Sequence, residues 1–238
     1  MNTMKIEIWS DIACPFCYIG KRKFEEALEQ FKNKNKVEIE WKSFQLSPNL
    51  KTQVGRNMNQ FLAEEKGMPI EQAKELNNRV VQMAKQAGLN FQIDKAIPAN
   101  TFLAHRLIHF AKSKGRQDAA EEVLFRSYFI DGKNIDDLQT LIALGQEIGL
   151  NENEVEAALQ NDQYTDDVRH DIYEAQQIGV RGVPFFVFNR KQAISGAQDS
   201  AAFLQVLESS FAEWQKENPE PKLEVMEGAS CSTDGQCN

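Results

Sequence analysis

An α/β fold with a large helical insertion follows from three observations. Residues 4–44 read strand, helix, strand; residues 58–178 read as helix almost throughout; after Gly179 the strand signal returns and one more helix closes the pattern. Each element has its own local cause.

Residues 4–9 alternate, with Ile6 and Ile8 set against Lys5 and Glu7, as a strand does. Between residues 17 and 31, Phe24, Ala27, Leu28 and Phe31 recur at helical spacing. A polar turn at 32–36 leads to a second strand at 37–41, extending towards Phe44. Strand, helix, strand in this order implies a right-handed βαβ unit with parallel strands. The period then changes. Helices are predicted over 69–87, 100–114, 116–130, 136–148, 151–161 and 163–178, with Gly88, Gly115, Gly132 and Gly149 at their ends. No fixed repeat runs through this block, which excludes a solenoid. Phe185-Phe186-Val187-Phe188, between Pro184 and Asn189, suits a buried strand, with 191–195 as its hairpin partner. Asp199 is placed to cap a last helix reaching about residue 216. Residues 1–55 and 179–216 are therefore assigned to one domain, 56–178 to the helical insertion, and 217–238 to a tail. The tail has two prolines, five acidic residues and one lysine, a composition that favours flexible chain.

The chain has 238 residues, 42% hydrophobic and 26% charged, a soluble globular balance. A net charge of −8 argues against a nucleic-acid partner. No apolar run is long enough for a transmembrane helix, so no membrane partner is expected. The amino terminus enters the strand pattern without the apolar core of a secretory leader, which points to a cytoplasmic location. The four cysteines form two close pairs, Cys14/Cys17 and Cys231/Cys237. In such a compartment, cysteines are more often catalytic, redox-sensing or metal-bound than structural cross-links.

Cys14-Pro15-Phe16-Cys17 falls between the first strand and the first helix. Free backbone N–H groups and the helix dipole at that junction stabilise a thiolate at Cys14. Two intervening residues keep Cys17 close enough to resolve a mixed disulfide, and Pro15 suits an early helical position. Half of a zinc site is the main alternative, since C-x₂-C is also a metal spacing. Zinc would need two further ligands, and no second C-x₂-C exists, so no metal is assigned. Two inert core cysteines are the third reading. Far along the chain, Gly182-Val183-Pro184-Phe185 sets a proline immediately before a buried strand. A cis Val183–Pro184 bond beside the cysteines would leave the Val183 backbone free to pair with an extended substrate; the plain alternative is a trans proline opening a strand.

Asp11-x-x-Cys14-Pro15-Phe16-Cys17-Tyr18-x-Gly20, Gly182-Val183-Pro184 and Ser195-Gly196-Ala197-Gln198 together resemble the DsbA family of thioredoxin-like proteins. Asn100-Thr101-x-x-Ala104-His105-Arg106 is similar to a motif of its FrnE-type branch, cytoplasmic relatives also similar to 2-hydroxychromene-2-carboxylate isomerases and kappa-class glutathione transferases. The resemblance spans residues 4–212. It implies a thioredoxin-like fold with a helical insertion, Cys14 as nucleophile, Cys17 as resolving cysteine and Pro184 as the cis-proline beside them. Cys231/Cys237 resembles the additional carboxy-terminal pair of some branch members. DsbA itself has histidine where this chain has Phe16, which removes one source of thiolate stabilisation and argues against a very strong oxidant. The isomerase and transferase relatives typically carry serine at the first cysteine position, so Cys14 with Cys17 favours disulfide exchange.

Other features are more open. His105 and His109 lie four apart on one predicted helix, without the glutamate of a zinc-protease motif. They read as a polar helix face, with His105 as a candidate for tuning substrate binding if that face lines the cleft. Lys21-Arg22-Lys23 favours acidic substrates or is a solvated helix face. Phe16 is the best candidate for exposed substrate contact, beside Pro15 and Val183. Cys231/Cys237 is either a redox pair, exchanging with Cys14/Cys17 or forming a separate redox site, or else an accessory disulfide or a disordered end without function. The expected activity is disulfide exchange on protein or low-molecular-weight thiols, with the Cys14–Cys17 disulfide as the redox group, no separate cofactor, and glutathione as a possible co-substrate. A glutathione-dependent isomerase or transferase on the same fold, binding glutathione at Val183 and around 196–199, is one alternative. A chaperone-like binding module, indifferent to loss of both cysteines, is another.

Overall fold

The computed structural model describes residues 2–219. Four strands form one sheet: β1 (Met4–Ser10), β2 (Val37–Ser43), β3 (Phe185–Phe188) and β4 (Gln192–Ser195), in spatial order β2-β1-β3-β4. β1 runs parallel to β2 and antiparallel to β3, and β3 pairs antiparallel with β4. This is the thioredoxin fold with a helical insertion between β2 and β3.

Alternation in β1 explains its central place. Met4, Ile6 and Ile8 point to a core shared with Phe24 of α1 (Pro15–Gln30), with Phe31 at that helix's C-cap, and with Phe203, Leu207 and Phe211 of α9 (Ser200–Glu217). Phe24 sits within an aromatic cluster, its centroid 5.4 Å from Phe186 and 5.7 Å from Phe203. The opposite face is also covered. Trp9 is fully buried there, and its indole N–H donates to the Asp171 carbonyl at 3.0 Å. The β3–β4 turn places Asn189 and Arg190 at φ +48° and +55°, the two left-handed residues of a tight hairpin turn.

The insertion comprises α2 (Met58–Lys66), α3 (Ile70–Gln86), α4 (Phe102–Ser113), α5 (Gln117–Arg126), α6 (Leu138–Glu147), α7 (Glu152–Gln160) and α8 (Thr165–Gln177). The span predicted as one helix over 116–130 changes character: after α5 the backbone widens into a π-helical turn, Ser127–Asp131. Gly132 ends it at φ +69°, where a Cβ would meet the Lys95 carbonyl oxygen at 2.7 Å. Asn57, Asp137 and Asn151 cap α2, α6 and α7 through side-chain acceptors. Asp199 does not cap α9 in this way. It stands at the N-cap position, but its carboxylate reaches Lys23 of α1 at 2.7 Å instead. α4 is the hub of the insertion core: every residue from Ala104 to Ala111 is buried.

Candidate redox site

The sheet register assembles the site. Trp9, near the end of β1, pairs with Phe185 at the start of β3, so the chain leaving β1 and the chain entering β3 lie side by side. Cys14 is the N-cap of α1 and Pro15 its first residue. The Val183–Pro184 peptide bond is cis. Cys14 Sγ donates to the Val183 carbonyl at 3.4 Å, joining residues far apart in sequence. In the thiol form Cys14 thus takes one of the two acceptor positions of the Val183 carbonyl.

Cys14 and Cys17 are free thiols, Cys14 4% exposed and Cys17 fully buried. Burial, with the neighbouring Cys14 sulfur next in weight, pushes the Cys17 thiol well above its ordinary value. The outer sulfur of the pair is Cys14. Phe16 is exposed beside it, Pro15 and Val183 are half-buried, and Pro184 is buried.

Gly20 explains why three separated motifs meet. A Cβ there would stand 3.0 Å from Pro184 Cγ and 3.5 Å from Ala197 Cβ, so the absent side chain lets α1 lie close against the proline and the 195–198 turn. On the other flank Tyr18 stacks on Phe125 with ring centroids 4.9 Å apart and donates to Glu122 at 2.7 Å. The basic run after the motif is not a solvated face. Lys21 is buried among Glu25, Asp118 and Glu122, Arg22 pairs with Glu25 and Glu122, and Lys23 pairs with Asp199. Their charges are met within the chain, which weakens the expectation of acidic substrates.

Both histidines of α4 are buried, because this helix is packed on all sides rather than presenting a polar face to solvent. His109 Nε2 lies 3.2 Å from Ser43 Oγ and 3.0 Å from Asp171 Oδ2, between β2 and α8. His105 is 1% exposed and faces Asp11, so it lies beneath the motif loop and not in an open substrate cleft. Asp11 is the residue whose weight the sequence understates. Its carbonyl accepts the Cys14 N–H at 2.9 Å, and its carboxylate accepts the Leu46 N–H at 2.7 Å and the Ala13 N–H at 3.3 Å. Glu121 is buried in the same region, and burial raises its carboxyl well above the usual range. Its position on the apolar stripe of α5, one turn from Gln117 and Phe125, is the signal that would have found it. Cys231 and Cys237 lie outside the described residues. Among the described residues no helix is long and apolar enough to cross a membrane.

A family model described as a DSBA-like thioredoxin domain matches residues 5–208. The probable DsbA oxidoreductase SCO1869 of Streptomyces coelicolor is 36% identical, with 99% of this chain and 98% of that one aligned and a TM-score of 0.82. The uncharacterized protein YwbO of Bacillus subtilis (strain 168) is 30% identical over 219 residues, 90% of this chain and 98% of its own. The cytosolic disulfide reductase DsbM of Pseudomonas aeruginosa, solved with GSH, shares the fold at 16% identity and a TM-score of 0.58, over 90% of this chain and 98% of that one.

Proposed function

This chain belongs to the DSBA-like thioredoxin domain family, and from that premise we propose that it is a thiol–disulfide oxidoreductase working through Cys14 and Cys17. The observation that carries the reading is the placement of Cys14 at the first turn of α1, against the Val183 backbone, with Cys17 buried behind it. Cys14, as thiolate, attacks one sulfur of a substrate disulfide; a Cys14–substrate bond forms and the other substrate sulfur leaves as thiolate. Cys17 then attacks Cys14 Sγ, its proton passing to the departing thiolate, and the second substrate sulfur is released. The pair ends oxidised and the substrate holds two thiols; the reverse sequence oxidises a dithiol. The direction in the cell follows from the potential of the pair against its surroundings.

In this reading no separate cofactor is required, since the electron pair resides in the Cys14–Cys17 disulfide. Substrates are protein or low-molecular-weight thiols in a cytoplasmic setting, with glutathione as co-substrate. The Val183 backbone pairs with the substrate chain once Cys14 releases its carbonyl, Pro184 borders that edge, and Phe16 gives an exposed apolar contact. Cys231/Cys237 serves as an accessory pair that exchanges with Cys14.

The test is equilibration of the full chain in glutathione redox buffers, followed by limiting alkylation. A reversible Cys14–Cys17 disulfide is expected, with Cys14 labelled first in the reduced protein. Cys17→Ser should trap a mixed disulfide at Cys14 that non-reducing peptide mapping identifies, either with substrate or with the tail. Preferential labelling of Cys17, or turnover that survives Cys14→Ser, overturns the reading. Truncation after Lys216 with unchanged turnover removes the accessory pair from it.

A further inference from the structure

The run Asn100-Thr101-x-x-Ala104-His105-Arg106 contains one residue whose side chain the fold leaves unpaired. Asn100 Oδ1 accepts the Phe102 N–H at 2.8 Å, and its Nδ2 donates to the Leu50 carbonyl at 2.9 Å, tying the 45–52 segment to the start of α4. Thr101 Oγ1 accepts from Gln45 at 3.3 Å, and Ala104 fills core. Arg106 donates to the Ala158 and Gln163 carbonyls at 2.8 and 2.9 Å and also to Asn161. His105 has no such role. It is 1% exposed, neither ring nitrogen has a hydrogen-bond partner among the described residues, and Nε2 stands 3.5 Å from Asp11 Oδ1.

A buried imidazole without a partner costs folding free energy, so its place opposite Asp11 calls for a role. We infer that His105 is a positioning residue for the redox centre: by sharing a proton with Asp11 across this buried contact, it sets the charge beneath the Cys14–Cys17 turn and so the balance between dithiol and disulfide. The inference rests on the proposed exchange at Cys14 and Cys17.

Asp11 belongs to the same turn as Cys14, through its carbonyl, and reaches the 44–46 segment through its carboxylate. With His105 protonated, the carboxylate is neutralised and a thiolate at Cys14 meets no second negative charge. With His105 neutral, the Asp11 carboxylate, which accepts the Ala13 N–H one residue before Cys14, keeps its charge and opposes a thiolate. The other ionisable groups acting with this pair are Glu121 of α5 and Tyr128 of the π-helical turn, both raised first by burial and further by the Asp11 charge. Lys21 of α1 acts in the opposite sense on Glu121.

Linkage makes the inference testable in the unmodified protein. If the charge on His105 alters the dithiol–disulfide balance, the redox state must alter the titration of His105 by the same factor. The chain has three histidines, so ring ¹⁵N signals can be assigned and followed against pH in the oxidised and reduced full-length protein. Two displaced curves for His105 are expected, with the reduced form holding the proton to higher pH. Superimposed curves overturn the inference. A second measurement uses His105→Gln in glutathione buffers. Its equilibrium should shift towards the disulfide by roughly threefold to tenfold at the acid end of a pH series and converge on the parent at the alkaline end. In an Asp11→Asn background the same substitution should add nothing, since the effect passes through Asp11. Parallel pH profiles for parent and variant would show a merely structural histidine. If the unmodified chain forms no reversible Cys14–Cys17 disulfide at all, the proposed function itself fails, an outcome distinct from either of these.

Discussion

Burial acts in the same direction on Cys17 and Glu121, with different consequences. For Cys17 it keeps the thiol protonated and, in the exchange proposed above, protected until a mixed disulfide forms at Cys14. For Glu121 the raised carboxyl is a stability liability that grows with pH. Below the ordinary carboxylate value both folded and unfolded chains hold the proton, and the full stability is present. As pH rises towards the folded value, the unfolded chain ionises first and unfolding becomes easier. Glu121→Gln does not titrate. Its thermal midpoint relative to the parent should therefore rise steadily from about pH 5 to about pH 8, as a scan at several pH values will show. A pH-independent difference would mean that Glu121 is ionised in the fold, held by Lys21.

At the scale of elements, side chains close the gaps that helices leave. The Arg106 guanidinium satisfies carbonyls at the end of α7 and in the connection to α8, where Tyr164 takes a positive φ of 62°. Those carbonyls have no intrahelical donors of their own. Arg106→Ala should lower unfolding free energy by about 3 kcal/mol, the scale for losing charged hydrogen bonds and leaving buried acceptors unpaired. Urea unfolding measures this, and a change below about 0.5 kcal/mol would place the residue among ordinary surface positions. The close packing of α1 on β3 has the same character. It depends on Gly20 having no side chain opposite Pro184, so Gly20→Val should separate Cys14 from Val183 and slow exchange more than it lowers stability.

At the scale of the molecule, one ionic network fastens the insertion to the sheet. Lys42 of β2 meets Asp171 of α8 at 3.0 Å, Glu174 at 3.3 Å and Glu40 at 3.4 Å. Arg190 of the hairpin turn reaches Glu174 and Glu7, and Lys112 of α4 reaches Glu40. Burial alone would raise these carboxyls, but the cations and hydrogen bonds outweigh it, holding Glu40 down at about 2 and lowering Asp171 and Glu174 as well. A depressed folded value gives stability that is present above the unfolded carboxylate value and lost as pH falls through the folded one. The urea midpoint should accordingly fall from about pH 5 down to about pH 2. Asp171→Asn should flatten that limb and cost about 3 kcal/mol at neutral pH, because Lys42 keeps its buried charge without its best partner. An unaltered acid limb would assign the loss to other carboxylates.

The order of strands and helices, the Cys14–Cys17 pair at a strand–helix junction and the distant Pro184 were legible in the sequence because each has a local cause. Strand alternation, helical period, turn glycines and a proline before an apolar run act within a few residues of themselves. The burial of Lys21, His105, His109 and Glu121, the turn of Asp199 towards Lys23 and the meeting of Gly20 with Pro184 were not legible. Each depends on which helix lies against which, and one-dimensional pattern does not distinguish a polar stripe facing solvent from one facing a buried counter-charge. Local chemistry thus determined the parts of the candidate redox site. Only tertiary packing decided what lies beneath it, because the energy of a buried charge is set by neighbours that are distant in the chain.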